Sequence, residues 1–93
     1  MDVSFTWDPQ KDADNQQKHD VSFAEAMTAF ADPLSVTIPD PDHSIDEARY
    51  LLVGSSLRHR LLVVAHIEQP EQIRIISARP ATRRERHDYE EEG

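Results

Sequence analysis

The chain contains no cysteine and only two glycines among its 93 residues. Without cysteine there is neither a disulfide framework nor a thiolate metal site. With two glycines, no phosphate-cradling loop of the G-x-G-x-x-G or P-loop kind can be built, and HExxH and GxSxG are missing as well. Long apolar runs are also lacking. The longest, Leu61 to Ala65, falls far short of the ~20 residues that span a bilayer. The opening MDVSFTWDPQ carries acids where a secretory signal has a basic region. These features predict one domain over residues 1–93 of a cytoplasmic protein, with no cofactor, no metal and no membrane segment.

Cations are scarce in the first part of the chain. Residues 1–57 carry three (Lys11, Lys18 and Arg49) against eleven acids. Residues 58–87 carry seven arginines against Glu68, Glu71 and Glu85, and the last six residues add four acids. The segments therefore sum to −8, +4 and −4 within a net charge of −8. The average argues against a polyanionic ligand, but a phosphate responds to the local field, and the arginine block offers one.

Val3, Phe5 and Trp7 alternate with polar residues, which predicts a strand over 2–7, with Trp7 anchoring it to the core or, at an exposed edge, stacking a base. Asp8-Pro9 is an N-cap followed by proline at the first helical position, opening a polar helix over about 9–19. PQKDADNQQKH has almost no apolar stripe, so this helix is expected to exist for what it displays: Asn15, Lys18 and His19. Ser22 and Glu25 fit a capping box, and Phe23, Ala26, Met27 and Phe30 form the stripe of a second helix that ends at Asp32-Pro33. A short strand follows from Leu34 to Ile38, then a turn-rich loop, Pro39–Asp42. Three apolar runs, Ala48–Gly54, Arg60–Glu68 and Gln72–Ala78, suit hairpins of an antiparallel sheet, with LLVVA as its central strand. Thr82 and Glu85 fit a second capping box on a last helix, and residues 90–93 are expected to be a frayed acidic tail. The order is strand, helix, helix, four strands, helix: an α+β architecture.

Histidine, carboxylate, lysine and arginine remain as reactive groups, which suit metal-free phosphodiester cleavage. RNA supplies its own 2′-hydroxyl nucleophile, and the protein must supply a base, an acid and cations for the developing charge. Lys18-His19 fit a cation and a base, and equally fit favourable charges near a helix C-terminus. His43, Glu47 and Arg49 of HSIDEARY can stand at one rim, or belong to an ordinary loop leading into a strand. A regular pleat puts Arg79 on the face of Ile73 and Ile75 and Arg74 on the other. Arg79, beside a helix N-terminus, is the better phosphate ligand. Arg83 is favoured over Arg84 on a helix whose default is a solvated charged face. His66, inside the central strand, reads as a hydrogen-bonded core or edge residue; His59, in the hairpin RHR, reads as solvated, and His87 and Tyr89 on the last helix can reach the site or simply pack.

Several stretches resemble the BrnT toxins of bacterial type II toxin–antitoxin modules. They are FTWDPQKDADNQQKHDVSFAEA, the Asp32-Pro33 pair, HSIDEARYLLVG and IRIISARPATRRERHDYE. The resemblance covers nearly the whole chain. It implies a RelE-like fold with an antiparallel sheet, ribonuclease activity that blocks translation, and a cognate BrnA-like antitoxin whose ribbon-helix-helix domain binds the operator. DNA is then met only through the antitoxin. Carried over by motif position, Lys18, His19, His43, Glu47 and Arg79 are the implied catalytic residues, and Arg49, Arg74 and Arg83 the implied phosphate ligands. Asp20 stands where the family usually has glycine, at a turn that needs left-handed backbone. A second class of function is a non-enzymatic module whose arginine helix docks an acidic partner or which serves its antitoxin as co-repressor.

Overall fold

The computed structural model describes residues 3–42 and 48–92. The elements run β1 (Ser4–Thr6), α1 (Pro9–His19), α2 (Phe23–Thr28), a single 3₁₀ turn at Ala29–Ala31, β2 (Val36–Pro39), β3 (Arg49–Ser55), β4 (Leu61–Gln69), β5 (Gln72–Pro80) and α3 (Arg83–Glu92). They form one five-stranded sheet in the order β1-β5-β4-β3-β2. β4 is its central strand, buried from Leu61 to Ile67, as its run of apolar residues on both faces requires. The sheet is mixed rather than antiparallel: β1 pairs with β5 in parallel. The intervening chain, with both helices, is long enough for the crossover that a parallel pair needs. α3 runs through Glu92.

α1 and α2 cover one face. Phe23, Ala26 and Ala29 meet Leu52, Leu62, Val64, Ile75 and Ala78 in the buried core, with Val21 between them. Trp7 packs edge-on against Phe23, with centroids 6.2 Å apart, and Phe5 against Phe30 at 5.0 Å, so the N-terminal aromatics do anchor β1. Each fully buried side chain of this core, such as Phe23 or Leu62, contributes about 1.5–3 kcal/mol. Gly54 lies where the 3₁₀ turn crosses β3; a Cβ there would stand 2.8 Å from the Ala29 carbonyl oxygen, closer than backbone can yield.

The polar helix α1 is held by its one buried residue. Asn15 Nδ2 donates to the carbonyls of Val21 and Ala78, both at 2.8 Å, and its Oδ1 accepts from the Ala78 N–H at 3.1 Å. Asn15 is therefore structural rather than displayed, and three hydrogen bonds replace the missing apolar stripe. Asp8 caps the helix by accepting from Gln10 N–H at 2.8 Å. At the other end Asp20 takes the left-handed conformation, φ 58° and ψ 35°, so aspartate does here what glycine does more cheaply.

The Ser22–Glu25 box is half realised. Glu25 N–H donates to Ser22 Oγ at 3.0 Å, but the Glu25 carboxylate does not turn back to Ser22. It is buried against Arg60 and Ser56. Arg60 Nε donates to it at 2.9 Å and Ser56 Oγ at 2.8 Å. The Arg60 hydrogen bond, seconded by Ser56, holds Glu25 below the ordinary carboxylate range against the opposing effect of burial. This pair ties the β3–β4 hairpin to α2 and removes Arg60 from any ligand-binding role.

Candidate functional site

The face turned away from α1 and α2 carries Arg49, Arg74 and Arg79. β4 is in unbroken register with β3, so Ile67, Ala65 and Val63 alternate onto one face. Arg74 pairs with Ile67 and Arg79 with Val63, which places both arginines on that face. Between them the register shifts: Ala65 pairs with Ser77 and His66 with Ile75, leaving Ile76 without a partner. This bulge absorbs one residue and resets the alternation. The expectation that Arg74 and Arg79 point to opposite faces is thereby corrected; a regular strand separates them, and the bulge reunites them.

Arg49 also pairs with Ile67, from the β3 side, and Thr6 pairs with Arg74 from β1. Arg49, Ile67, Arg74 and Thr6 thus form one row across four strands. Adjacent strands lie about 4.8 Å apart, so the Arg49 and Arg74 backbones are separated by roughly 10 Å; Arg74 and Arg79 are about 13 Å apart along β5. Arg74 is exposed, while Arg49 and Arg79 are half-buried.

Arg79 does not face solvent alone. Its guanidinium meets Glu85 of α3 fork to fork, Nη1 to Oε1 and Nη2 to Oε2, each at 2.8 Å. Glu85 also completes the second capping box: its Oε1 accepts from Thr82 N–H at 2.8 Å, and its own N–H donates to Thr82 Oγ1 at 3.1 Å. The Arg79 hydrogen bonds lower the Glu85 pKa to about 2, outweighing burial, and raise that of Arg79 in turn. The anion that Arg79 holds at this helix N-terminus is a carboxylate of the chain itself.

Further along α3, the Tyr89 hydroxyl donates to Asp32 Oδ2 at 2.5 Å. That bond, joined by burial, pushes the Tyr89 hydroxyl up to about 12. Asp32 also accepts from the backbone N–H groups of Leu34 and Ser55. Burial raises its pKa, but the hydrogen bonds from Tyr89 and the two amides prevail and lower it. α3 is therefore latched at two points, Arg79–Glu85 and Asp32–Tyr89. Neither Glu85 nor Asp32 stands out in the sequence as more than a cap and a helix terminator.

Lys18 is exposed and His19 half-buried at the end of α1. α1 lies on the core face, where Asn15 binds Ala78, so the sheet stands between its layer and the side of Arg74 and Arg79. Their neighbour is Arg60, whose Nη2 donates to the Asp20 carbonyl at 2.7 Å. Arg83 is exposed at the start of α3. His43 and Glu47 lie outside the described residues. His66 is fully buried, with Nδ1 3.2 Å from the Val64 carbonyl and Nε2 3.0 Å from Glu68, and packs edge-on to Phe30. That is the hydrogen-bonded core histidine expected. Among the described residues, no three or more His, Asp or Glu side chains gather as a metal site.

These elements define a small α+β domain with an arginine-bearing sheet face, latched at one end under a helix. Over residues 7–85 the chain matches the family described as "Ribonuclease toxin, BrnT, of type II toxin-antitoxin system". It belongs to that family. The crystal structure of the Brucella abortus ribonuclease toxin BrnT has the same fold, with a TM-score of 0.67 and 19% sequence identity, covering 87% of this chain and 99% of that one. No curated protein matches the chain in sequence. Among the described residues, no helix is long and apolar enough to cross a membrane.

Proposed function

We propose that the chain is a metal-independent endoribonuclease that inhibits translation in the cytoplasm and is neutralised by a BrnA-like ribbon-helix-helix antitoxin, through which alone it meets operator DNA. Family membership supplies the ribonuclease and toxin–antitoxin class. What supports RNA cleavage on this face is the placement of Arg74 and Arg79 together by the bulge at Ile76, with Arg49 in the same cross-strand row as Arg74. An extended RNA strand crossing that face meets Arg49 and Arg74 at phosphates that are not adjacent, and reaches Arg79 by displacing Glu85; such guanidinium groups stabilise charge developing on a phosphodiester.

Proton transfer then falls to His43 and Glu47, six and two positions before Arg49 in sequence. Lys18 and His19, with the sheet between them and the arginine row, fall outside this path. Arg83 extends the cationic path past Arg79. The deciding experiment incubates the antitoxin-free chain with single-stranded RNA in excess EDTA. Cleavage that persists, and that falls on Arg74→Ala and on His43→Ala, supports the reading. Intact RNA at stoichiometric protein overturns it.

A further inference from the structure

α3 lies over β2, β3 and β4 without filling the space beneath it. A cleft of about 540 Å³ remains between helix and sheet, within the size range of binding sites. Its floor is apolar, running from Val36 and Ile38 of β2 across Val53 of β3 to Val63 of β4. A helix that covers a sheet normally turns an apolar stripe toward it. α3, RRERHDYEEE, has no apolar residue but Tyr89, and it sets Glu85, Asp88 and Glu91 above that floor.

Two of the wall's groups are committed, Glu85 to Arg79 and Tyr89 to Asp32. Asp88 and Glu91 remain as its charges, Glu91 with only a 3.4 Å contact to His87 of its own helix. Ile38 is 47% exposed at the mouth, and β2 is an edge strand, so the apolar strip runs from the cleft to the rim of the sheet. The complementary occupant has apolar side chains for the floor and cations for the wall. The carboxylates repel RNA. The open side along β2 favours a length of polypeptide over an enclosed small molecule.

We propose that this cleft docks a basic amphipathic segment of the antitoxin, its apolar side chains on the valine floor and its Lys or Arg side chains against Asp88 and Glu91. The proposal rests on the reading of the chain as a toxin with a protein antitoxin. Its test measures, by calorimetry, binding of the full chain to the antitoxin expressed from the reading frame adjoining its gene. The wild type is compared with Asp88→Lys/Glu91→Lys and with Ile38→Asp, all at exposed positions.

Each variant is expected to bind the antitoxin roughly tenfold or more weakly. The charge-reversed variant should lose less as salt rises, since screening weakens the repulsion it introduces. The milder Asp88→Asn/Glu91→Gln, free of reversed charge, should fall between it and wild type. RNA cleavage by the antitoxin-free variants should match wild type, which also shows that they fold. Wild-type affinity in all three overturns the docking site alone. No binding by the wild-type chain overturns the antitoxin reading and the docking with it.

Discussion

Arg79 and Glu85 face each other as two forks, one on β5 and one at the first turn of α3, with both N–O distances at 2.8 Å. The pair fixes the angle at which α3 leaves the sheet. Glu85→Gln keeps the shape and removes the charge, and should cost about 1–2 kcal/mol, since both partners are partly solvated. The pH dependence identifies the cause. The carboxylate titrates near 2 in the folded chain against an ordinary 4.5, so its contribution is complete above 4.5 and lost as pH falls toward 2. Urea unfolding of wild type and Glu85→Gln should differ most near neutrality and converge in that acid window.

Arg74 and Arg79 share a face but not an environment, and their substitutions should separate binding from stability. Arg74→Ala should weaken single-stranded RNA binding and reduce the log–log salt slope by about 0.7, with an unchanged melting temperature. Arg79→Ala should change the slope less, since Glu85 already neutralises that guanidinium, and should lower the melting temperature, because Glu85 loses its partner. A salt slope unaltered by Arg74→Ala removes that residue from the phosphate path.

Asn15→Ala leaves the Ala78 N–H and the carbonyls of Val21 and Ala78 buried without partners. A cost of about 2–4 kcal/mol is expected, read as a lower urea midpoint with accelerated hydrogen exchange at Ala78. A loss below half a kilocalorie would mean that α1 is held by something other than this amide.

Arg60 and Glu25 should be unequal partners. The Glu25 side chain is 5% exposed and that of Arg60 28%. Arg60→Ala strands a carboxylate away from water, eased only by the Ser56 hydroxyl at 2.8 Å and Arg58 at 3.7 Å, whereas Glu25→Ala leaves a guanidinium that can turn to solvent. Arg60→Ala should approach about 3 kcal/mol and Glu25→Ala considerably less, as measured by chemical denaturation of the two variants side by side.

The element order was legible because each element carries a local signal. Asp8-Pro9 and Thr82 with Glu85 mark helix starts, Phe23, Ala26, Met27 and Phe30 mark a buried stripe, and the apolar run of β4 marks a central strand. Asp20 was legible too, as a residue standing where a left-handed turn was needed. The parallel pairing of β1 with β5 was not, because both edges of a sheet offer the same backbone groups and only the α1–α2 layer selects one. The site was half legible. Arginine, histidine and carboxylate types can be read along the chain, but the face each presents depends on register.

The arginine block is where the two kinds of information part. Sequence by itself determined that seven arginines crowd into residues 58–87 of an acidic chain, and that β5 holds two of them five residues apart. In principle the half-buried Ile73 and the buried Ile75 and Ala78 announce a bulge, by a step of three after a step of two. Ile76 is apolar as well and hides that step. Only the tertiary structure decided that Ile76 is the residue left over, which puts Arg74 and Arg79 on one face. It alone assigned Arg60 to Glu25 and Arg79 to Glu85. The physical reason is common to all three: a charge is fixed by the chain, but its partner is fixed by which backbone groups pair across the sheet.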